Sequence, residues 1–404
     1  MSLSIDIHQD VLNNAQRPYF GLNPIDPKWD KVEVKSGYTV FFEGNVIKKI
    51  ISFSCPGRDE YRECDTELPT RDRQFVLPKT AKGKEKKLNY TSINSVTPSG
   101  IVFNLRIGGF SPMFYVGNPR NAISLSMSEE SIEPKTLEEF QKWRDAYIAD
   151  SPPDHFEKID RIRSLPHRTV KYFNGDIFRF EIGREHYGFG LIIGQILKMQ
   201  KDGIIPEYHA LGSVMTVPLL VRFYQIKMKD REPMLETITS SPMLPTEIMS
   251  DSPVIWGSVD IIGEKRLEAD DIDFPMHVGR SISGKREHFC FCWGLGMIAI
   301  PNTIDRPKFP NGIDFFNHGV TCGVDSSIVL RAMRGEYSHL AWRDICHPDN
   351  KLFKETAFQY FKLPLNISFD EFNLKHNGLT RQQYADYANK YLRDKKTKAR
   401  SKDK

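Results

Sequence analysis

The sequence predicts an α+β, β-rich fold with two barrel-like or sheet modules and a helical C-terminal region. Three observations carry that expectation. Short apolar runs with period-two alternation recur up to about residue 301, glycine and proline punctuate them, and capping sequences led by serine or threonine appear where the strand pattern fades. With 404 residues, 40% hydrophobic and 27% charged, the chain has apolar material for more than one core. The expected organisation is a β-rich N-terminal module over 26–126, a helical connector over 127–169 and a second β-rich domain over 170–301. A helical region over 302–393 and a basic, disordered tail over 394–404 complete it.

In the first module the runs at 38–42, 46–53, 74–77, 101–107 and 113–116 read as strands. A helix follows. Thr136 and Glu139 have the capping-box spacing, and Leu137, Phe140, Tyr147 and Ile148 fall near one helical face. Ser151-Pro152-Pro153 breaks that helix and makes 150–160 the expected linker.

The second module opens on YFNGDIFRFEIGREHYGFGLIIGQI, residues 172–196, in which Gly188, Gly190 and Gly194 suggest a phosphate loop at first sight. Such a loop needs a strand, then the glycines, then a helix whose amides face the phosphate. Here the glycines lie inside an apolar and aromatic run, so the stretch reads as a hairpin. Ile177, Phe178, Phe180 and Ile182 mark its first strand, residues 183–186 the turn and 187–196 the second strand. Glycine inside a strand marks a bulge or a close approach of backbones, and the aromatics Phe178, Phe180, Tyr187 and Phe189 are expected in the core. Further strands are expected at 212–224, 253–262 and 288–300. Beyond about residue 325 helices take over. Ser368 with Glu371, and Thr380 with Gln383, have capping-box spacing on either side of Asn377-Gly378.

Composition narrows the function classes. The first residues, MSLSIDIHQD, lack a basic segment followed by an apolar stretch, and no apolar run reaches membrane-spanning length, so a cytoplasmic protein without membrane contact is expected. Six cysteines without a CxxC pair point to reduced thiols. The formal charge of +4 is modest, and the lysine-rich tail supplies part of it.

Four features carry candidate chemistry. Residues 263–275, GEKRLEADDIDFP, crowd Glu268, Asp270, Asp271 and Asp273 together; such carboxylates repel, which favours an exposed surface facing a basic partner. Asp176, beside Gly175, either closes a turn or contacts a partner. Lys79, Lys82, Lys84, Lys86 and Lys87 could meet an anion or nucleic acid, but Tyr90 is the one close aromatic, which disfavours nucleic-acid binding. His288, Cys290 and Cys292 share one strand face as weak metal candidates; their spacing is not a zinc signature, and packing is preferred, so no metal or other cofactor is expected. His318, His339 and His347 join no serine or cysteine in a nucleophile motif, and no catalytic residue is assigned.

A family resemblance is carried by Gly175-Asp176-Ile177-Phe178, by Tyr187-Gly188-Phe189-Gly190 leading into Leu191-Ile192-Ile193-Gly194, and by Val254-Ile255-Trp256 with Ile261-Ile262-Gly263. Over about 171–280 the chain resembles the immunity protein 26 family, within a longer, multi-module member. The resemblance implies a bacterial protein of polymorphic-toxin systems that binds and neutralises a cognate toxin without being an enzyme, with Asp176 and the acidic loop as partner contacts. The family name is also attached to a small phosphotriesterase, which implies phosphotriester hydrolysis as an alternative. A nucleic-acid-associated regulator, resting on Lys79 to Lys87, is the second alternative.

Overall fold

A computed structural model describes residues 11–54, 59–107, 113–129, 132–167, 169–205, 209–214, 216–280, 288–301, 323–341 and 344–393. Helix and strand are present in nearly equal shares and the described strand pairs are antiparallel, so the fold is α+β and β-rich. Two compact units divide the chain: residues 1–169 with Gly183–Glu185 and Trp256–Ser258, and Val170–Ile182 with His186–Ile255 and Val259–Lys404.

The first unit is built on strands β1 (Asp30–Lys35), β2 (Tyr38–Glu43), β3 (Val46–Ser54), β4 (Asp59–Arg71), β5 (Phe75–Val76), β6 (Lys86–Lys87), β7 (Val102–Ile107), β8 (Met113–Asn118) and β9 (Ile123–Ser124). Their order is β1-β2-β3-β4-β7-β8-β9, with β5 and β6 as a ribbon beside β4. Alternation places Phe41, Ile51, Tyr61, Phe103, Leu105 and Val116 on one face, where Phe140 and Tyr147 of helix α1 (Leu137–Ala149) and Ile159 and Ile162 of α2 (His155–Ser164) cover them. Tyr38, Val40, Phe42, Ile50 and Cys64 fill a second core. Helix α1 starts as its sequence dictates, with Thr136 Oγ1 accepting from Glu139 N at 3.1 Å. Helix α2 occupies most of the expected linker. The prolines at 152 and 153 end α1, but they precede α2's first turn and remove no donor from its interior.

β4 is a strand that the sequence does not announce. Its thirteen residues, DEYRECDTELPTR, look too charged for the middle of a sheet, yet Glu63 is 0% exposed. Its charge is matched by Lys49 Nζ at 2.6 Å, from the neighbouring strand, and by Arg17 Nε at 2.8 Å. Lys49 also donates to Asp65 Oδ1 at 2.5 Å, and the Tyr61 hydroxyl donates to Glu63. Burial opposes ionisation of Glu63, but Lys49 and Arg17 outweigh it and hold this carboxyl below the usual range.

The second unit carries β10 (Asp176–Ile182), β11 (His186–Gln195), β12 (Pro218–Phe223), β13 (Glu247–Ser250) and β14 (Asp260–Glu264) in the order β13-β12-β11-β10-β14. A smaller sheet holds β15 (Met276–Arg280), β16 (His288–Trp293) and β17 (Gly296–Pro301). The glycines of the opening motif have a packing role. Gly190 lies opposite Phe178 and Gly188 opposite Phe180, and a Cβ at either glycine would meet the facing ring at 2.3 or 2.4 Å. The rings lie across the glycines because no side chain occupies that space.

Three expected strands change shape. Residues 253–262 divide into a helical turn, Ser252–Ile255, and β14, because Pro253 has no amide for a ladder and suits a helix start. The 288–300 run folds into the β16–β17 hairpin around Gly294, whose φ of 67° is left-handed. The 212–224 run shortens to β12, preceded by a 3₁₀ turn at Ala210–Ser213.

Helices α3 (Phe369–Lys375) and α4 (Arg381–Ala388) begin with complete capping boxes at Ser368 and Thr380. Phe369, Tyr384, Ala385 and Ala388 share a core with Ile177, Phe189, Leu191 and Ile193, so these helices cover one face of the five-stranded sheet. Ile328, Val329 and Leu330 of the helix Ser327–Met333 pack with Phe178, Phe180, Ile192 and Val221 on the other face. Ser368→Ala and Thr380→Ala are each expected to lower second-unit stability by about 1 kcal/mol, read as a shift in its denaturation midpoint at constant m.

Candidate partner-binding surface

The acidic stretch is a folded loop between β14, an edge strand of the five-stranded sheet, and β15. Glu268 caps a 3₁₀ turn, Ala269–Asp271, and its own amide donates to Asp271 Oδ2 at 2.8 Å. Lys265 Nζ donates to Asp271 Oδ1 at 2.6 Å. Arg222, on β12, donates to the Asp270 carbonyl at 3.1 Å and lies 3.8 Å from Asp273 Oδ2. Helix α4 holds the loop from the other side, with Arg381 Nε donating to Ile272 O at 3.1 Å. The Asn389 side chain accepts from Leu267 N at 3.0 Å and donates to Leu267 O at 2.9 Å. A loop pinned at so many points presents its outward groups in one arrangement, which lowers the ordering cost of binding.

The expectation that all four carboxylates are exposed is corrected. Glu268 and Asp270 are exposed and Asp273 is half-buried, whereas Asp271 is 2% exposed. Its burial has a physical reason: Lys265 and the Glu268 amide satisfy both of its oxygens. Asp176 is buried as well, at 0% exposure, and does not form part of the outer surface. Its Oδ2 accepts from Phe173 N and from Arg393 Nη2, both at 2.8 Å, and burial pushes its carboxyl up to about 6 against the pull of Arg393. Aspartate at this position closes the turn that starts β10 and anchors a distant arginine. Sequence reading could reach only the turn, because Arg393 is 217 positions away.

The remaining candidates lie elsewhere. Lys79, Lys82, Lys84 and Lys87 are exposed and Lys86 is half-buried on the β5–β6 ribbon of the first unit. Glu85 takes up part of that charge, 3.4 Å from Lys79 and 2.6 Å from Arg71. On β16 Cys290 and Cys292 are buried and His288 is half-buried. Burial pushes the Cys290 thiol up to about 11 and the Cys292 thiol higher, which keeps both in the neutral form. Among the described residues no group of three or more His, Cys, Asp or Glu is placed to hold a metal. His339 is paired with Glu247 at 2.7 Å, His347 caps a 3₁₀ turn through Asp349 N, and His318 lies outside the described residues. No described helix is long and apolar enough to cross a membrane.

The acidic loop and the hairpin with its paired glycines and phenylalanines fall within one stretch that comparison with known families singles out. Residues 173–287 match the family model described as immunity protein 26. The match spans a little over a quarter of the chain and includes β10 to β15. It supports an immunity-protein role, and a toxin as partner in general terms. No curated protein and no solved structure matches the chain. Arg222 and Asn389, which fix the acidic loop, were not legible as loop partners, since one lies on an apolar strand and the other beyond the match.

Proposed function

We propose that the protein is an immunity protein that binds a cognate toxin and neutralises it by stoichiometric occlusion, using the 267–273 loop as a contact surface. The observation that carries this reading is the immunity protein 26 match over 173–287. Glu268 and Asp270 support the choice of surface: they are exposed, carry the same sign and sit on a loop that Arg222, Arg381 and Asn389 hold from behind. Charge so placed speeds encounter with a basic partner and rejects acidic ones. Asp176 and Asp271 contribute through the fold, since both are buried and paired.

Co-expression with the product of the adjacent reading frame tests the reading. The intact chain should restore growth to cells producing that protein, and Glu268→Lys/Asp270→Lys should restore it poorly. Binding should weaken with added salt, because exposed charge pairs are screened beyond about 10 Å at 0.1 M ionic strength. Equal rescue by the doubly reversed chain would remove the loop from the interface.

A further inference from the structure

The last described residues leave the fold beside the acidic loop, and their exit is held at many points. Ala388, which ends α4, lies in the core, the Tyr391 hydroxyl donates to Asp202 Oδ2, and Lys198 Nζ stands 4.8 Å from the Tyr391 ring centre. Asn174 N donates to Tyr391 O at 3.2 Å. The Asn389 side chain holds both backbone groups of Leu267, the residue before Glu268. Gly175 has φ +80°, and a Cβ there would meet Lys265 O at 2.3 Å and Leu392 Cδ2 at 2.6 Å, so residue 392 passes directly over the turn that Lys265 joins. Arg393 closes the described part with its guanidinium on Asp176, whose cross-strand neighbour on β14 is Glu264.

Residues 394–404, DKKTKARSKDK, lie outside the described part and carry six cations against two acids. The formal charge of the whole chain is +4, so this segment holds the entire excess and the other residues balance. We propose that Lys395, Lys396 and Lys398 pair with the outward carboxylates of the 267–273 loop, so that the chain carries its own competitor for that surface and a basic partner must displace it. The proposal rests on reading that loop as a contact surface, and it adds an autoinhibitory contact to it.

Position, reach and charge agree. The Asn389–Leu267 tie places the exit one residue from Glu268, and an extended chain spans about 3.3–3.6 Å per residue, so the first lysines need little of the available length. Asp271 and Asp273 have Lys265 and Arg222 beside them, whereas Glu268 and Asp270 face outward, with no Lys or Arg in ion-pair distance among the described residues. A tethered segment meets its site at an effective concentration on the order of millimolar, so even weak exposed pairs compete with a partner arriving from solution. The fixed exit keeps that concentration high.

Zero-length carbodiimide cross-linking of the intact chain, with the joined peptides identified by mass spectrometry, reads the contact. At low salt Lys395, Lys396 or Lys398 should be joined to Glu268 or Asp270, and the yield should fall about fivefold at about 0.5 M salt. The exposed Lys48–Glu67 pair of the first unit controls for the reagent. Competition is read with fluorescent hexalysine as the basic probe: a chain ending at Asp394 should bind it about fivefold more tightly than the intact chain, and Glu268→Gln/Asp270→Gln in both should abolish the difference. Tail lysines joined to acids throughout the chain without preference for 268 and 270, while Lys48–Glu67 forms, would overturn the proposal. So would equal hexalysine affinity of the two chains, or a difference that survives the loop substitutions, since net charge alone would then account for it. Neither readout involves the toxin, so failure of the tail contact and failure of the toxin-binding reading are told apart.

Discussion

Lys49→Met is expected to destabilise the first unit by about 3–5 kcal/mol, the cost of leaving a buried charge without its partner. The lysine is 0% exposed and supplies the cation between Glu63 and Asp65. Without it Arg17 still faces Glu63, but the buried Asp65 loses its cation. Replacing Lys49, Glu63 and Arg17 together by apolar residues of similar size, with Asp65→Asn, should cost far less than the single change, because no orphaned ion then remains in the network. The same network sets an acid limit. Glu63 is held below its ordinary value of 4.5, so its contribution is present above that pH and is lost as pH falls through the lower, folded value. Exchange protection of β3 and β4 amides, followed against denaturant, measures the first unit separately from the second. A Lys49→Met chain as stable as the parent would show that the network carries no net electrostatic weight.

Phe178→Ala should destabilise the second unit by about 3–5 kcal/mol. The ring is 0% exposed, lies edge-on to Phe223 at 6.0 Å and covers Gly190 across the β10–β11 ladder. Gly190→Ala should itself cost about 1–3 kcal/mol, since its Cβ would stand 2.3 Å from the Phe178 ring. Combining Gly190→Ala with Phe178→Leu should recover part of the loss, because the smaller side chain vacates the space that the new methyl needs. Urea denaturation of Gly190→Ala, Phe178→Leu and the double variant gives the coupling directly. Strict additivity would mean that the glycine is not there for the ring.

These two sites mark what could and could not be read in the sequence. The β10–β11 hairpin was legible because Ile177, Phe178, Phe180 and Ile182 signal it locally, and the helix starts at Thr136, Ser368 and Thr380 were legible because a cap is a contact three residues long. β4 was not, because its buried acids are neutralised by Lys49 and Arg17, 14 and 46 positions from Glu63. Helix α2 was hidden by Pro152-Pro153, which mark where one helix ends without saying how soon another begins. In the acidic loop the four carboxylates look equivalent along the chain; Lys265 and one amide draw Asp271 inside and leave Glu268 and Asp270 facing out. The Asp176–Arg393 pair spans 217 positions, and no local pattern announces it.

The proposed role is tested most directly by titrating the intact chain into the purified product of the adjacent reading frame and following the heat of binding. The account predicts a saturable complex of fixed stoichiometry, with affinity reduced at least tenfold, or about 1.4 kcal/mol, by Glu268→Lys/Asp270→Lys and falling as salt is added. A flat titration with a folded, toxic partner would contradict it.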